Sequence, residues 1–344
     1  MGQYVGLDVS LETTKVHVLD DQGKRVWRGT CVTHPTAIEA TIRRHAPEVV
    51  RIGLETGPLT TWLWQALTDA GLPMVCLDAR QAKAALNLRI NKTDDTDAEG
   101  LAQLVLSGWY RAVRVKSREA MLVRSLIGAR TQLLGIVTEL SNQIRGLMKT
   151  FGLVVPKGAG TVFEANVRRL LEDDAAVAAI VVPLLDSWRA VRTQTADLDR
   201  QLLAVVRENA DCRRLMTIPG VGTIVAASFV AAVETPENFT TSRAVGAWIG
   251  LTPRRYQSGE VDYDGHISRR GDARLRALLY EAATTMLTRV QGESDLRRWG
   301  LALRKRLGFK RAAVALARKL AVVMHAMWKN GTDFNPRAAM SAGT

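Results

Sequence analysis

Four carboxylates in the first hundred residues have the types and spacing to hold divalent cations. They are Asp8 in Val5-Gly6-Leu7-Asp8-Val9-Ser10, Glu55 in Ile52-Gly53-Leu54-Glu55-Thr56-Gly57, and the pair Asp94 and Asp97 in Thr93-Asp94-Asp95-Thr96-Asp97-Ala98. Asp8 and Glu55 end short apolar runs that read as strands, where a buried charge is costly without a metal or a partner. Asp94 and Asp97 lie three apart at the start of a helical pattern, so they share one helix face. Carboxylate oxygens are the hard ligands Mg²⁺ or Mn²⁺ takes, with open positions left for phosphate and water. The plainer reading of the pair is that acids in a first turn complement the helix dipole. Thr96-Asp97-Ala98-Glu99 also spells a capping box.

The elements that must position these acids follow from hydrophobic patterning. Tyr4 to Val9, Lys15 to Leu19 and Arg25 to Val32 read as strands, the last two joined through Asp20-Asp21-Gln22-Gly23. A helix over Pro35 to His45, a strand over Val49 to Glu55, a helix over Thr60 to Ala70 and a strand over Pro73 to Leu77 come next. The order βββαβαβα is that of an RNase H-like domain, a mixed sheet with helices on both faces. In that topology the first and fourth strands are neighbours, which brings Asp8 and Glu55 together.

Charge points to the partner. The chain has 344 residues, a net charge of +13 and 47% hydrophobic residues. That is room for two domains with ample cores and suggests a polyanionic partner. Cys31, Cys76 and Cys212 lack metal-ligand spacing and read as reduced thiols. The apolar runs fall short of the ~18 residues of a spanning helix. The expected location is inside the cell, away from membranes.

Beyond the first domain the periodicity changes. Leu126, Leu133, Val137, Leu140, Ile144, Leu147 and Phe151 fit steps of three and four with Arg130 at the one polar position, and Leu184, Trp188, Val191, Leu198, Leu202 and Val205 do the same with Thr195 as the exception. Two such blocks, broken at Gly152 to Gly160, predict an antiparallel helical hairpin that either packs within the chain or dimerises as a coiled coil. Ile218-Pro219-Gly220-Val221-Gly222 has the form of a helix-hairpin-helix, whose glycines let backbone N–H groups approach a phosphate. Arg254 and Arg255 precede Ser258-Gly259, and Ile267-Ser268-Arg269-Arg270-Gly271 follows. On residue types alone this is a basic phosphate-binding loop. Ser258 and Ser268 are its candidate hydroxyls, and Ser268 reads as a helix N-cap. Leu301 to Asn330 contains Arg304, Lys305, Arg306, Lys310 and Arg311 and no acid, a one-sign stretch that an anion must cover.

Taken together these motifs resemble the DEDD transposases of bacterial insertion sequences, the IS one-ten family, related to Piv-type DNA invertases. The resemblance runs in order through Gly6-Leu7-Asp8-Val9-Ser10, Glu55-Thr56-Gly57, Lys92-Thr93-Asp94 with Asp97-Ala98, Ile218-Pro219-Gly220-Val221-Gly222, Gly250-Leu251-Thr252-Pro253, Ser258-Gly259 and Ile267-Ser268-Arg269-Arg270-Gly271. It implies an α/β RNase H-like (RuvC-like) DEDD domain over residues 1–115 and a coiled-coil helical connector over 116–210. A mainly α-helical C-terminal transposase domain over 211–335 and a tail over 336–344 would complete the chain. It further implies Asp8, Glu55, Asp94 and Asp97 as catalytic metal ligands for Mg²⁺ (or Mn²⁺), and Ser258 as nucleophile. Arg254, Arg255, Arg269, Arg270, Arg304, Lys305, Arg306, Lys310 and Arg311 would bind nucleic acid. The implied reaction is site-specific cleavage and rejoining of double-stranded donor and target DNA, guided by a structured RNA that the element encodes. Strand exchange implies a homodimer or tetramer. Asp95-Thr96 departs from the family, which more often has a basic and an apolar residue there.

Three other functions compete. A RuvC-type junction-resolving endonuclease would use metal-activated water. An actin-like or sugar-kinase-like ATPase would need glycine-rich phosphate loops, which Gly6-Leu7-Asp8-Val9-Ser10-Leu11-Glu12 lacks. In a non-catalytic nucleic-acid scaffold the acids would be caps, which leaves the strand-end acids unexplained.

Overall fold

The computed structural model describes residues 2–86 and 94–337. The chain divides into two compact units, Met1–Arg118 and Glu119–Thr344.

The first unit is built on a five-stranded sheet of order β3-β2-β1-β4-β5, with β1 Gln3–Val9, β2 Thr13–Leu19, β3 Arg25–Val32, β4 Val49–Glu55 and β5 Met74–Leu77. The first three strands form an antiparallel meander, and β4 runs parallel to both β1 and β5. At the β2–β3 turn the Asp20 carboxylate accepts the N–H groups of Gln22 and Lys24, and Gly23 takes the left-handed backbone the turn needs (φ 78°). Alternation sends Val5, Leu7, Val16, Val18, Ile52 and Leu54 to one face. There they bury against Ile38 and Ile42 of α1 (Pro35–His45) and Leu63 and Leu67 of α2 (Thr60–Asp69). Each of these helices shows an apolar stripe at helical spacing, which is why the sequence gives them away. A short alanine-rich helix, α3 (Ala79–Leu86), follows β5 and was not expected.

The other face of the sheet is covered by α4 (Asp94–Ser107), which packs on β1, β2 and β4. Two glycines let it come close. Gly6 and Gly53 are register partners on adjacent strands. A Cβ at Gly6 would lie 2.1 Å from the Ala98 carbonyl oxygen, and one at Gly53 would lie 2.6 Å from Val105. The helix backbone therefore sits directly on the sheet. Its later residues Leu104 and Val105 cluster with Tyr4, near the start of β1, so α4 runs antiparallel to β1 with its N-terminus at the Asp8 end.

In the second unit α5 (Arg118–Thr150) and α7 (Ala175–Glu208) pair antiparallel. Trp188 Nε1 donates to Ser141 Oγ at 2.8 Å, and Arg130 pairs with Asp199. A helix between them, α6 (Thr161–Leu170), inserts Phe163 and Val167 among Ile144, Met148, Val181, Leu185 and Trp188. The heptad residues thus serve an intrachain hairpin whose tip has three helices. By length and composition α5 could cross a bilayer, although its apolar stretch is interrupted and its one face is taken by α7.

The other ends of this hairpin enter a larger core, where Ile127, Leu202 and Val206 meet five further helices. These are α8 (Ala210–Leu215), α9 (Thr223–Val233), α10 (Ser242–Trp248), α11 (Ala273–Thr288) and α12 (Asp295–Leu307), gathered around α13 (Phe309–Asn330). Between α10 and α11 stands a two-stranded ribbon, β6 Pro253–Ser258 and β7 Val261–Ile267, in a stretch the sequence reads as a loop.

Candidate active site

The acid face is set by register. Leu7 lies opposite Leu54 in the parallel β1–β4 pair, so the next residues, Asp8, one short of the end of β1, and Glu55, the last of β4, come side by side. By alternation both share the face of Gly6 and Gly53, the face under α4. Leu101 lies over Gly53. Asp97, one turn before Leu101, is about 6 Å further along the helix. Glu55, two residues beyond Gly53, is a similar distance along the strand. The two steps run the same way, so Asp97 comes to the Glu55 end of the sheet. Asp94 opens α4, one turn before Ala98, which covers Gly6; the side chains of Asp94 and Asp95 lie outside the described residues. Asp8, Glu55 and Asp97 are each half-buried. Lys15 is the cross-strand partner of Asp8.

A cleft of about 780 Å³ opens beside Glu55, between the β1–β2 turn and the start of α2, lined by Ser10, Glu12, Thr13, Thr56 and Thr60 among others. Asp78, which follows β5, adds to the acidic field here. Burial pushes the Cys76 thiol up, and the Asp78 and Glu55 carboxylates push it further, to about 11. Asp78 is itself engaged at the start of α3, accepting the Arg80 N–H. Among the described residues no three acidic, histidine or cysteine side chains gather as a metal site. The donors present, carboxylates ending adjacent strands with a helix-borne acid a turn away, are of the kind a divalent cation takes.

The second unit holds the basic loop and the serine. Ser258 is the last residue of β6, exposed, with Gly259 at φ 56° making the turn. The Arg255 guanidinium pairs with the Asp262 carboxylate across the ribbon, through Nε at 2.8 Å and Nη2 at 2.5 Å. Arg254 Nη2 reaches the Ser268 carbonyl at 3.2 Å. Past the ribbon the chain locks against the end of α10. A Cβ at Gly250 would stand 2.2 Å from the Arg270 carbonyl oxygen, and one at Gly271 2.1 Å from that of Trp248. Both glycines have left-handed backbones, φ 82° and φ 77°. Arg276 ties the knot by donating to the Ile249 and Arg270 carbonyls. Between them Arg269 is held at φ 54°, an uncommon conformation outside glycine, with its side chain and that of Arg270 exposed. Arg304, Lys305, Arg306, Lys310 and Arg311 are exposed at the α12–α13 junction, the Arg304 guanidinium 5.5 Å from the Phe309 ring centroid.

Two family models match this chain. One, described as transposase, covers residues 5–152, and the other, described as transposase of the IS116/IS110/IS902 family, covers residues 212–298. The transposase for insertion sequence element IS1111A of Coxiella burnetii is 30% identical over 94% of this chain and 88% of its own length. The chain belongs to the IS116/IS110/IS902 family of transposases. It is therefore an enzyme of DNA cleavage and strand transfer. A protein of Pseudomonas aeruginosa named a probable family 20 transposase is 32% identical, over 72% of this transposase and 75% of the relative. The transposase for insertion sequence element IS1328 of Yersinia enterocolitica is 28% identical over the same shares. The first family match spans all four acids of the transposase, and the second spans the ribbon with Ser258.

Some local readings are corrected by the structure. The N-cap of α11 is Asp272, which accepts the N–H groups of Arg274 and Leu275, so Ser268 at the end of β7 is no helix cap. Thr96 lies inside α4 and cannot open a capping box, which needs a non-helical first residue. Gly220 (φ 91°) also packs closely on α11, with the Ala282 carbonyl oxygen 2.9 Å from where its Cβ would stand. Asp78 was missed although it also ends an apolar run, Val75-Cys76-Leu77. Asp272 was missed because its partner, Arg124, is 148 residues away.

Proposed function

We propose that this transposase is a divalent-metal-dependent DNA recombinase with Ser258 as nucleophile, guided by an RNA that its element encodes. The observation that carries the reading is the placement of Asp8 and Glu55 at the ends of adjacent strands beneath the helix that starts with Asp94 and Asp97. Four carboxylates brought together there would repel one another unless cations lay between them. Asp8, Glu55, Asp94 and Asp97 would hold Mg²⁺ or Mn²⁺. The bound metal supplies charge stabilisation at the phosphate and lowers the pKa of a coordinated oxygen.

The residues of the chain do the rest. Ser258 Oγ forms a phosphoester as the bond to the departing deoxyribose oxygen breaks, and attack by a second strand's hydroxyl reverses the step. This conserves the bond energy that hydrolysis would lose. Serine is a weak nucleophile until activated, so its position at an exposed strand end, able to approach a phosphate, matters more than its own acidity. Arg254, Arg269 and Arg270 would meet charge on that phosphate. Arg255 would contribute less, being paired with Asp262. Arg304, Lys305, Arg306, Lys310 and Arg311 would bind backbone phosphates of donor and target DNA or of the guide RNA. RNA guidance rests on the family resemblance and on the chain's charge of +13. Exchange between two duplexes requires more than one active site, hence a homodimer or tetramer.

The test of the acid face is Asp8→Asn and Asp97→Asn. Each should abolish Mg²⁺-dependent DNA cleavage while circular dichroism and thermal midpoint stay near wild type. Wild-type cleavage by Asp8→Asn would end the metal-site reading.

A further inference from the structure

We propose that Tyr256 and Tyr263 form a stacking platform for an unpaired base of the DNA strand attacked by Ser258. The inference rests on the serine reading above and adds the means by which that strand is positioned.

The ribbon has two unlike faces. Tyr256 pairs with Tyr263 and Ser258 with Val261 across the strands; Arg255 pairs with Asp264 and Gln257 with Asp262. Alternation puts Tyr256, Ser258, Val261 and Tyr263 on one face and Arg255, Gln257, Asp262 and Asp264 on the other. The second face carries its own ion pair, Arg255 with Asp262, and a further acid. Among the described strand residues of the ribbon, the tyrosine face carries no carboxylate. Glu260 stands in the turn between Ser258 and Val261, and the opposite face carries Asp262 and Asp264, so a polyanion meets less like charge on the tyrosine face.

That face is also built for a flat ligand. The two rings stack with centroids 5.1 Å apart and planes 20° from parallel. Tyr256 rests over Gly265, where a Cβ would come within 2.9 Å of the ring. A side chain at that position would push the tyrosine away, so the ring pair depends on the glycine. Yet Tyr256 is 45% exposed, Tyr263 56% and Val261 53%. Aromatic rings held in order and left in water are what proteins use to bind unstacked bases, at about 1–3 kcal/mol per base. The platform lies beside the nucleophile: two strand residues set Tyr256 about 6.8 Å from Ser258 along β6, a span that the sugar between a base and its phosphate covers. Bases inside a duplex already stack on both sides, so the platform takes one released from its pair. Strand exchange releases such bases beside the cut.

The experiment uses the full chain and a short single-stranded oligodeoxynucleotide with one 2-aminopurine, whose fluorescence falls on stacking. Binding is followed by anisotropy and stacking by quenching. Wild type, Ser258→Ala and Tyr263→Phe should bind and quench alike. Tyr263→Ala and Tyr263→Leu should lose the quenching and weaken binding roughly tenfold, with thermal midpoints unchanged because the ring is exposed. Undiminished quenching and affinity in Tyr263→Ala would overturn the platform. So would equal losses in Tyr263→Phe and Tyr263→Ala, which would assign the effect to the hydroxyl. Altered sedimentation with normal DNA binding would make the face a protein contact and also overturn it. Quenching is read without cleavage, so a failure of Ser258 as nucleophile would show as adduct-free cutting by Ser258→Ala and leave this measurement to judge the tyrosines alone.

Discussion

The acid face and the serine ribbon solve opposite problems. Asp8 and Glu55 end neighbouring strands, beneath a helix whose backbone is seated on Gly6 and Gly53 with no room for a methyl group. Ser258 ends a ribbon strand whose residues are exposed throughout, and two strands alone are only marginally stable in water. On the proposed reading the acids are cation ligands, which must be fixed to about half an ångström, and close backbone packing would fix them. On the same reading Ser258 is a nucleophile that must meet a phosphate on a large polyanion, and a projecting arm would suit it. What the ribbon lacks in burial it gains at its root, where Gly250, Gly271 and Arg276 clamp it to α10 and α11.

The largest way to break this contrast is one methyl group. Gly6→Ala drives a Cβ into the Ala98 carbonyl, a backbone atom that cannot turn aside, and should cost the first unit roughly 3 kcal/mol or more. Gly259→Ala meets no described atom within 4 Å of the new Cβ and only the strain of its φ of 56°, about 1–2 kcal/mol at the ribbon turn. Thermal unfolding of the two variants should show a much lower midpoint for Gly6→Ala. Equal shifts would mean that α4 is not seated on the sheet backbone.

A smaller effect sharpens the root of the ribbon. Burial alone would raise the Asp272 carboxyl, but the Leu275 N–H, the Arg124 guanidinium and the Arg274 N–H outweigh it and hold it below the usual carboxylate range. Asp272→Ala removes the α11 cap and the Arg124 partner and should cost about 1–2 kcal/mol. By linkage the wild-type contribution is complete above the ordinary carboxylate pKa and is lost as pH falls through the depressed one. Urea unfolding of wild type and variant should therefore converge in acid, and parallel curves at every pH would refute the linkage.

The smallest expected effect lies away from both sites. His325 is fully buried between the Ser242 hydroxyl and the Pro236 carbonyl, each at 2.9 Å. Burial lowers its pKa; the Pro236 hydrogen bond and Glu237 oppose the shift, and Lys329 reinforces it. Nε2 donates to the carbonyl, so in the neutral ring Nδ1 accepts from Ser242. A depressed histidine contributes stability that is complete above about pH 6.5 and is lost as pH falls through the folded value. The second unit should unfold at lower urea at about pH 5 than at about pH 7.5, and His325→Asn should flatten that dependence. A wild-type midpoint insensitive to pH over this range would contradict the neutral histidine.

The sequence was most legible where local periodicity and burial agree. The five strands of the first unit and the Asp8–Glu55 adjacency follow from alternating apolar residues and one topological rule. The ribbon was hidden because Pro253 to Ile267 buries almost nothing, so the alternation of apolar and polar residues that marks a half-buried strand is absent. Gly6 and Gly53 look like ordinary strand glycines until the helix that needs them is in place. Ser268 in Ile267-Ser268-Arg269-Arg270 resembles a cap because nothing local reveals that the helix waits for Asp272. Heptads reported that α5 and α7 pair but not that α6 joins them, since a stripe of apolar residues names no partner.

Denaturing electrophoresis of end-labelled DNA, after reaction with Mg²⁺ and the proposed guide RNA, tests the central claim most directly. Wild type should leave label on a covalent protein–DNA adduct, while Asp8→Asn and Ser258→Ala should bind DNA and leave it uncut. Cleavage by Ser258→Ala at the normal site, with free ends and no adduct, would contradict the serine mechanism and assign the attack to water.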